Sequence, residues 1–272
     1  MAVTMADITK LRTMTGAGMM DCKNALTESN GDIEKSIELI RKRGQAIAAK
    51  RSDREASEGC VLAGVNGDFA AIVAVKCETD FVAKNADFIA LTQKVLDAAL
   101  ENQPANADTL NALTIDGRTI ADLITERSGV TGEKMELGFY EFVKGASVVE
   151  YIHTGNKLAT IVAFEQAGVE RQVARDIAMQ VASMNPVALN KESVCEKIVA
   201  QELEIGRDKA RQEGKPENML DKIAQGRLQK FFQESTLLSQ AFIKDGSINV
   251  EQYAKQNNAM PVDFKRVTLN QD

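Results

Sequence analysis

Phe69-Ala70-Ala71-Ile72-Val73-Ala74-Val75-Lys76-Cys77-Glu78-Thr79-Asp80-Phe81-Val82-Ala83-Lys84-Asn85 changes backbone preference half-way along its length. Its first nine residues are β-branched and small apolar types, which suit a buried strand. Beyond Asn85, the residues Phe88, Ile89, Leu91, Val95, Leu96 and Leu100 recur at helical spacing. Between strand and helix lies a turn that presents an acid, Asp80, beside an aromatic ring, Phe81. Turns held by rigid elements are where function concentrates. A carboxylate there can compete for a cation or repel a phosphate, and a phenyl ring can enter an apolar pocket.

The strand has a second copy. Ala70-Ala71-Ile72-Val73-Ala74 matches Ala159-Thr160-Ile161-Val162-Ala163 at an offset of 89 residues, and Asp87 meets Asp176 at the same offset. Ala99-Leu100 likewise meets Ala188-Leu189. A turn precedes each strand, Gly64 to Asp68 in the first case and Thr154-Gly155-Asn156 in the second, and a helical pattern follows each. The chain therefore reads as α+β, with a duplicated core unit of hairpin, strand and helix.

Outside the core the pattern is helical. Thr4 or Asp7 can cap a first helix carrying Ile8 and Leu11, which Thr15-Gly16-Ala17-Gly18 breaks. A second helix carries Met19, Met20, Cys22, Ala25 and Leu26. After the turn Ser29-Asn30-Gly31-Asp32, a third carries Ile33, Ile37 and Ile40 and is expected to stop at Gly44. Residues 45–57 read as a linker with partial helical character. Later, Val194, Ile198 and Ile205, then Leu220, Ala224, Leu228 and Phe231, are spaced for two amphipathic helices around the turn Gly214-Lys215-Pro216-Glu217-Asn218. That is an inserted antiparallel helical hairpin. Pro261 to Leu269 alternates as a terminal strand. The expected division is 1–54 for the helical module and linker, 55–146 for the first core copy, 147–190 with 235–272 for the second, and 191–234 for the hairpin.

Composition removes several function classes. The 272 residues are 44% apolar and 26% charged, ordinary values for a globular chain. No apolar run approaches the ~18 residues of a membrane span, and the first residues lack a signal-peptide layout, so a cytoplasmic location is expected. Cys22, Cys60, Cys77 and Cys195 are too scattered for a C-x2-C metal site and read as reduced, mostly buried thiols. One histidine, His153, excludes a paired-histidine zinc site. Neither a P-loop nor a G-x-G-x-x-G string occurs. With no tryptophan and 5% aromatics, broad base-stacking surfaces are not expected. Nothing calls for a cofactor or for catalysis. The net charge of −6 is uneven: residues 1–54 hold ten Lys/Arg against seven Asp/Glu, and the rest hold 23 against 32. The basic share peaks at Arg41-Lys42-Arg43 and Lys50-Arg51-Ser52-Asp53-Arg54, which is either a solvated linker or a surface for RNA or an acidic protein, the alternative function being an RNA-binding or ribosome-associated protein that uses this 41–54 tract.

Each singled-out residue also has a plain reading. Asp80 can be a helix cap and Phe81 a core residue, or Thr79 can cap while Asp80 stays exposed. Met19 and Met20, adjacent on a helix, cannot share a face, so one is expected in the core. His153 suits a hydrogen-bonded loop position. The hairpin's apolar stripe is satisfied by self-packing and is equally compatible with self-association.

Two strings carry a family resemblance. Leu11-Arg12 followed by Thr15-Gly16-Ala17-Gly18-Met19-Met20-Asp21-Cys22-Lys23-Asn24-Ala25-Leu26, with Asn30-Gly31-Asp32-Ile33-Glu34 behind it, resembles the start of bacterial elongation factor Ts proteins. Thr79-Asp80-Phe81-Val82-Ala83-Lys84 resembles that family's signature. The resemblance implies a nucleotide exchange factor for the GTPase elongation factor Tu, whose first helices are similar to a ubiquitin-associated-type module. It implies that this module docks through Arg12, Met19 and Met20. It further implies that Thr79, Asp80, Phe81 and Val82 disturb the partner's Mg2+ site, and that His153 lies near another partner domain. Asn24 stands where many members have lysine. The chain also ends soon after the Phe264–Leu269 segment, without the extra helical module some relatives carry.

Overall fold

The computed structural model describes residues 3–270. Contacts divide the chain into two compact units, one of residues 1–62, 73–140 and 269–272, the other of 63–72 and 141–268.

The chain opens with α1 (Met5–Thr15), α2 (Met19–Glu28) and α3 (Ile33–Ala49). Thr4 caps α1 and Asp7 returns the bond, so the two candidate caps form one capping box. Gly16, at φ +67°, ends the helix in the left-handed region that glycine adopts without strain. Ile8, Leu11, Ala17, Cys22, Ala25 and Leu26 close a small core, with Ile33, Ile37 and Ile40 packed against it.

Gly44 is not the end of α3. Gln45-Ala46-Ile47-Ala48-Ala49 are mostly good helix formers, and packing outweighs the cost of one glycine, about 1 kcal/mol. The five residues expected to begin a linker are the last turn and a half of this helix. Gly44 serves instead as a close approach: a Cβ on Gly129 would fall within 3.0 Å of its Cα, C and O atoms.

β1 (Glu58–Asn66) and β2 (Phe69–Cys77) follow, joined at Gly67-Asp68, a tighter turn than the expected Gly64–Asp68. Next come α4 (Asp80–Ala83), α5 (Ala86–Asn102), α6 (Ala107–Ala112), β3 (Thr114–Ile115), β4 (Arg118–Thr119), α7 (Ile120–Thr131) and β5 (Glu136–Lys144). The sheet order β1-β2-β5 puts β2 at the centre, and eight of its nine residues are buried. Tyr140 donates its hydroxyl to the Pro104 carbonyl, and burial pushes that phenol up to about 12.

The second half contains β6 (Ser147–Ile152), β7 (Leu158–Phe164), α8 (Arg171–Met184), α9 (Glu196–Gln212), α10 (Leu220–Ser235), β8 (Ala241–Phe242), β9 (Asp245–Asn249), α11 (Val250–Gln256) and β10 (Pro261–Thr268). β7 lies between β10 and β6, antiparallel to both. Val162, Phe164, Ile177, Val181, Leu237, Phe242 and Val250 anchor its core. The fold is α+β, and one element order occurs twice: two strands, a helix, a two-stranded turn, a helix and a closing strand. Asp116-Gly117 makes the turn of the first two-stranded element and Ile243-Lys244 that of the second, and Thr119 and Asn249 cap the helices that follow. α9 and α10 pack on each other, Gly206 against Ala224, with Arg207 bonded to Asp221 and Arg227 to Glu213. Val194 is buried just before α9 rather than on it.

Candidate functional site

Thr79 leaves β2 with extended geometry and caps α4, its hydroxyl accepting from the Val82 N–H at 3.4 Å. Asp80 therefore begins the helix instead of capping it. Its carboxylate meets the Lys84 ammonium at 2.6 Å, one turn on, and this raises the lysine above its ordinary value. Asn85 caps α5. In so short a helix, Ala83 turns inward. Phe81, two residues earlier and about 200° around the axis, turns outward. Phe81 is 84% exposed, the most exposed of the large apolar side chains among the described residues. The core reading of Phe81 is excluded, and Val82 is half-buried beside it.

The loop itself is held firmly. The Glu133 carboxylate accepts from Glu78 N (3.2 Å), Thr79 N (3.1 Å) and Thr79 Oγ1 (2.6 Å). The Glu78 carboxylate accepts in return from Lys134 N (2.6 Å), with Arg54 at 3.0 Å and Arg51 at 3.4 Å. Glu78 is thereby drawn below the usual carboxylate range, first by the Lys134 N–H. Beneath the turn, the Cys77 thiol donates to the Thr79 carbonyl. Burial pushes that thiol up to about 12, so it remains a protonated donor.

Arg12 lies on α1 and lines a concavity with Thr9, Thr13, Gly16, Asp87 and Arg127. Arg127 bonds Asn85 and Asp87 at the start of α5. Arg12 is thus gathered to the helix that follows the loop. Met19 and Met20 open α2, 50% and 64% exposed. Neither is in the core, contrary to the expectation for one of them, because Cys22, Ala25 and Leu26 form the inward face. His153 is exposed in the turn between β6 and β7, its Nδ1 2.9 Å from the Tyr151 hydroxyl. It belongs to the other unit.

Much of the basic tract is internally paired. Arg41 and Arg118 flank Glu126 at 2.6 and 2.7 Å, Arg43 meets Glu28, Lys42 meets Glu38, and Arg51 and Arg54 hold Glu78. Sequence reading missed Glu133 altogether. No local signal links it to a loop 54 residues away. Among the described residues, no group of three or more His, Cys, Asp or Glu side chains could hold a metal ion. Among the same residues, no helix is long and apolar enough to cross a membrane. Cys195 is exposed, and the other three cysteines are buried.

The family model described as Elongation factor TS matches residues 78–271, beginning at the braced Glu78. The chain belongs to the elongation factor Ts family. It is 63% identical to Elongation factor Ts of Porphyromonas gingivalis over 275 residues, covering all of both chains. It is 53% identical to the protein of that name from Azobacteroides pseudotrichonymphae, again over all of both. Against the Amoebophilus asiaticus protein of that name it is 52% identical over 99% of each chain. Family membership makes this chain an elongation factor of protein biosynthesis.

Proposed function

We propose that this chain is a guanine nucleotide exchange factor that promotes GDP release from elongation factor Tu by disturbing the partner's Mg2+ site. One observation carries the reading: a phenyl ring, Phe81, stands in solvent on a backbone tied down from both sides. An ordered apolar anchor loses little freedom on docking, so its burial is available for affinity. Phe81 wedges into the GTPase, while Asp80 exchanges its Lys84 contact for the partner's metal and water network. Thr79 and Val82 set the angle of that pair. Mg2+ bridges nucleotide phosphates to protein, so loosening its ligands weakens the whole site.

No covalent bond is made or broken by the factor, which is therefore not an enzyme. Exchange follows from reciprocity: a factor that favours the empty GTPase is weakened by nucleotide as much as it weakens nucleotide. Taking the partner from ~1% to ~99% open requires ~5.5 kcal/mol of differential binding. That exceeds what one side-chain pair supplies, so the rest of the interface contributes. Residues 1–54 serve as a ubiquitin-associated-like docking module using Arg12, Met19 and Met20. The first core copy, 55–146, presents the loop, and the second, 147–190 with 235–272, contacts another partner domain near His153. Residues 191–234 form the helical hairpin, through which copies self-associate. The factor meets both the GDP-bound and the nucleotide-free partner, in the cytoplasm, without nucleic acid or membrane.

The RNA-binding alternative needs the 41–54 tract to offer its charge to phosphates. The ion pairs of Arg41, Arg43, Arg51 and Arg54 weigh against it. The deciding experiment follows fluorescent GDP leaving elongation factor Tu with and without the chain. Acceleration supports exchange. No acceleration, together with RNA binding that falls steeply with salt, would replace this reading with the alternative.

A further inference from the structure

We infer that Glu133 is a positioning residue for nucleotide exchange, a carboxylate that acts on the partner only through the loop it holds. The inference rests on the exchange reading. Glu133 follows Gly132, whose φ of +74° ends α7. Its backbone carbonyl is fixed by the Ser128 hydroxyl. From there the side chain receives three donors of the loop, the N–H groups of Glu78 and Thr79 and the Thr79 hydroxyl.

The third bond has a directional consequence. A hydroxyl has one hydrogen, and committing it to Glu133 turns the oxygen's lone pairs toward the Val82 N–H. Glu133 thus sets the cap of α4. That helix is four residues long and has no stability of its own, because a single turn is dominated by nucleation cost. The direction of Phe81 therefore depends on an acid 52 residues further along the chain. Without that acid, two half-buried N–H groups lose their acceptor and the hydroxyl rotates freely. The Glu78 bond to Lys134 N and its pairs with Arg51 and Arg54 still tether the loop. The expected result is a misdirected Phe81 and not an unfolded protein.

The test uses full-length Glu133→Ala and Glu133→Gln, each alone and combined with Phe81→Ala. Fluorescent GDP release from elongation factor Tu is followed as the factor is raised to saturation. Glu133→Ala should lower the saturating release rate about tenfold, the scale of a lost charged hydrogen bond, while moving the half-saturating concentration less than about threefold. Glu133→Gln, which keeps one acceptor oxygen, should recover part of the rate. In the Phe81→Ala background, Glu133→Ala should cost distinctly less than it does alone, the remainder acting through Asp80. An unchanged rate, or an equal loss with Phe81 already removed, would overturn the inference. If Glu133→Ala does not fold, amide exchange at Glu78 and Thr79 in Glu133→Gln carries the test, and unchanged protection there overturns it. Wild-type protein that fails to accelerate release would instead remove the exchange reading, and the amide protection would still report on the brace.

Discussion

At the residue scale, Phe81 separates stability from function cleanly. Its ring is exposed, so Phe81→Ala should shift unfolding free energy by no more than about 0.5 kcal/mol. An aromatic anchor in an interface is worth about 2 kcal/mol or more, so the same change should cut stimulated GDP release roughly thirtyfold. Thermal melting and release kinetics on one preparation check both halves. Glu78 gives a pH prediction. Its carboxylate is held below the ordinary value of 4.5, first by the Lys134 N–H and then by Arg54 and Arg51, against an opposing cost of burial. A folded value depressed in this way gives stability that is complete above the unfolded value and is lost as pH falls through the folded one. Backbone order in the loop, read by NMR relaxation, should be constant down to pH 4.5 and decline only below it.

At the element scale, the crossing of α3 and α7 is the sharpest test of packing. A Cβ on Gly129 would strike the Gly44 backbone, whereas one on Gly44 would rest 3.4 Å from Gly129 Cα. Gly129→Ala should destabilise by about 3 kcal/mol as the helices are forced apart. Gly44→Ala should be tolerated, because the helix propensity it gains, up to about 1 kcal/mol, offsets a tight contact. Equal melting temperatures for the two variants would refute this geometry. The pair also accounts for the misplaced end of α3. Glycine reads locally as a stop signal, but here it is the side-chain-free surface on which another helix lies. The nearby arginines were ambiguous for the same reason. Arg41, Arg51 and Arg54 form a basic tract by local composition, yet their partners Glu126 and Glu78 lie 24 to 85 residues away.

For the whole molecule, stability should be uneven. β2 and β7 are central strands with little or no exposed surface, while α1 and α2 rest on a core of six buried residues. Native-state amide exchange should find β2 and β7 slowest and α1 and α2 opening at markedly lower free energy; uniform protection would contradict this. The α+β class, the strands of both copies, the capped helices and the position of the 79–82 signature at a strand-to-helix turn were legible because period, caps and turn residues act within a few positions along the chain. The sequence by itself determined the type and approximate place of the main helices and strands, and the family motif it carries. Only the tertiary structure decided that Phe81 faces water, that neither Met19 nor Met20 is core, that Gly44 lies inside a helix, and that Glu133 holds the loop. Those outcomes depend on which groups meet across tens of residues, and hydrogen-bond geometry and steric fit select such meetings only when the chain is folded.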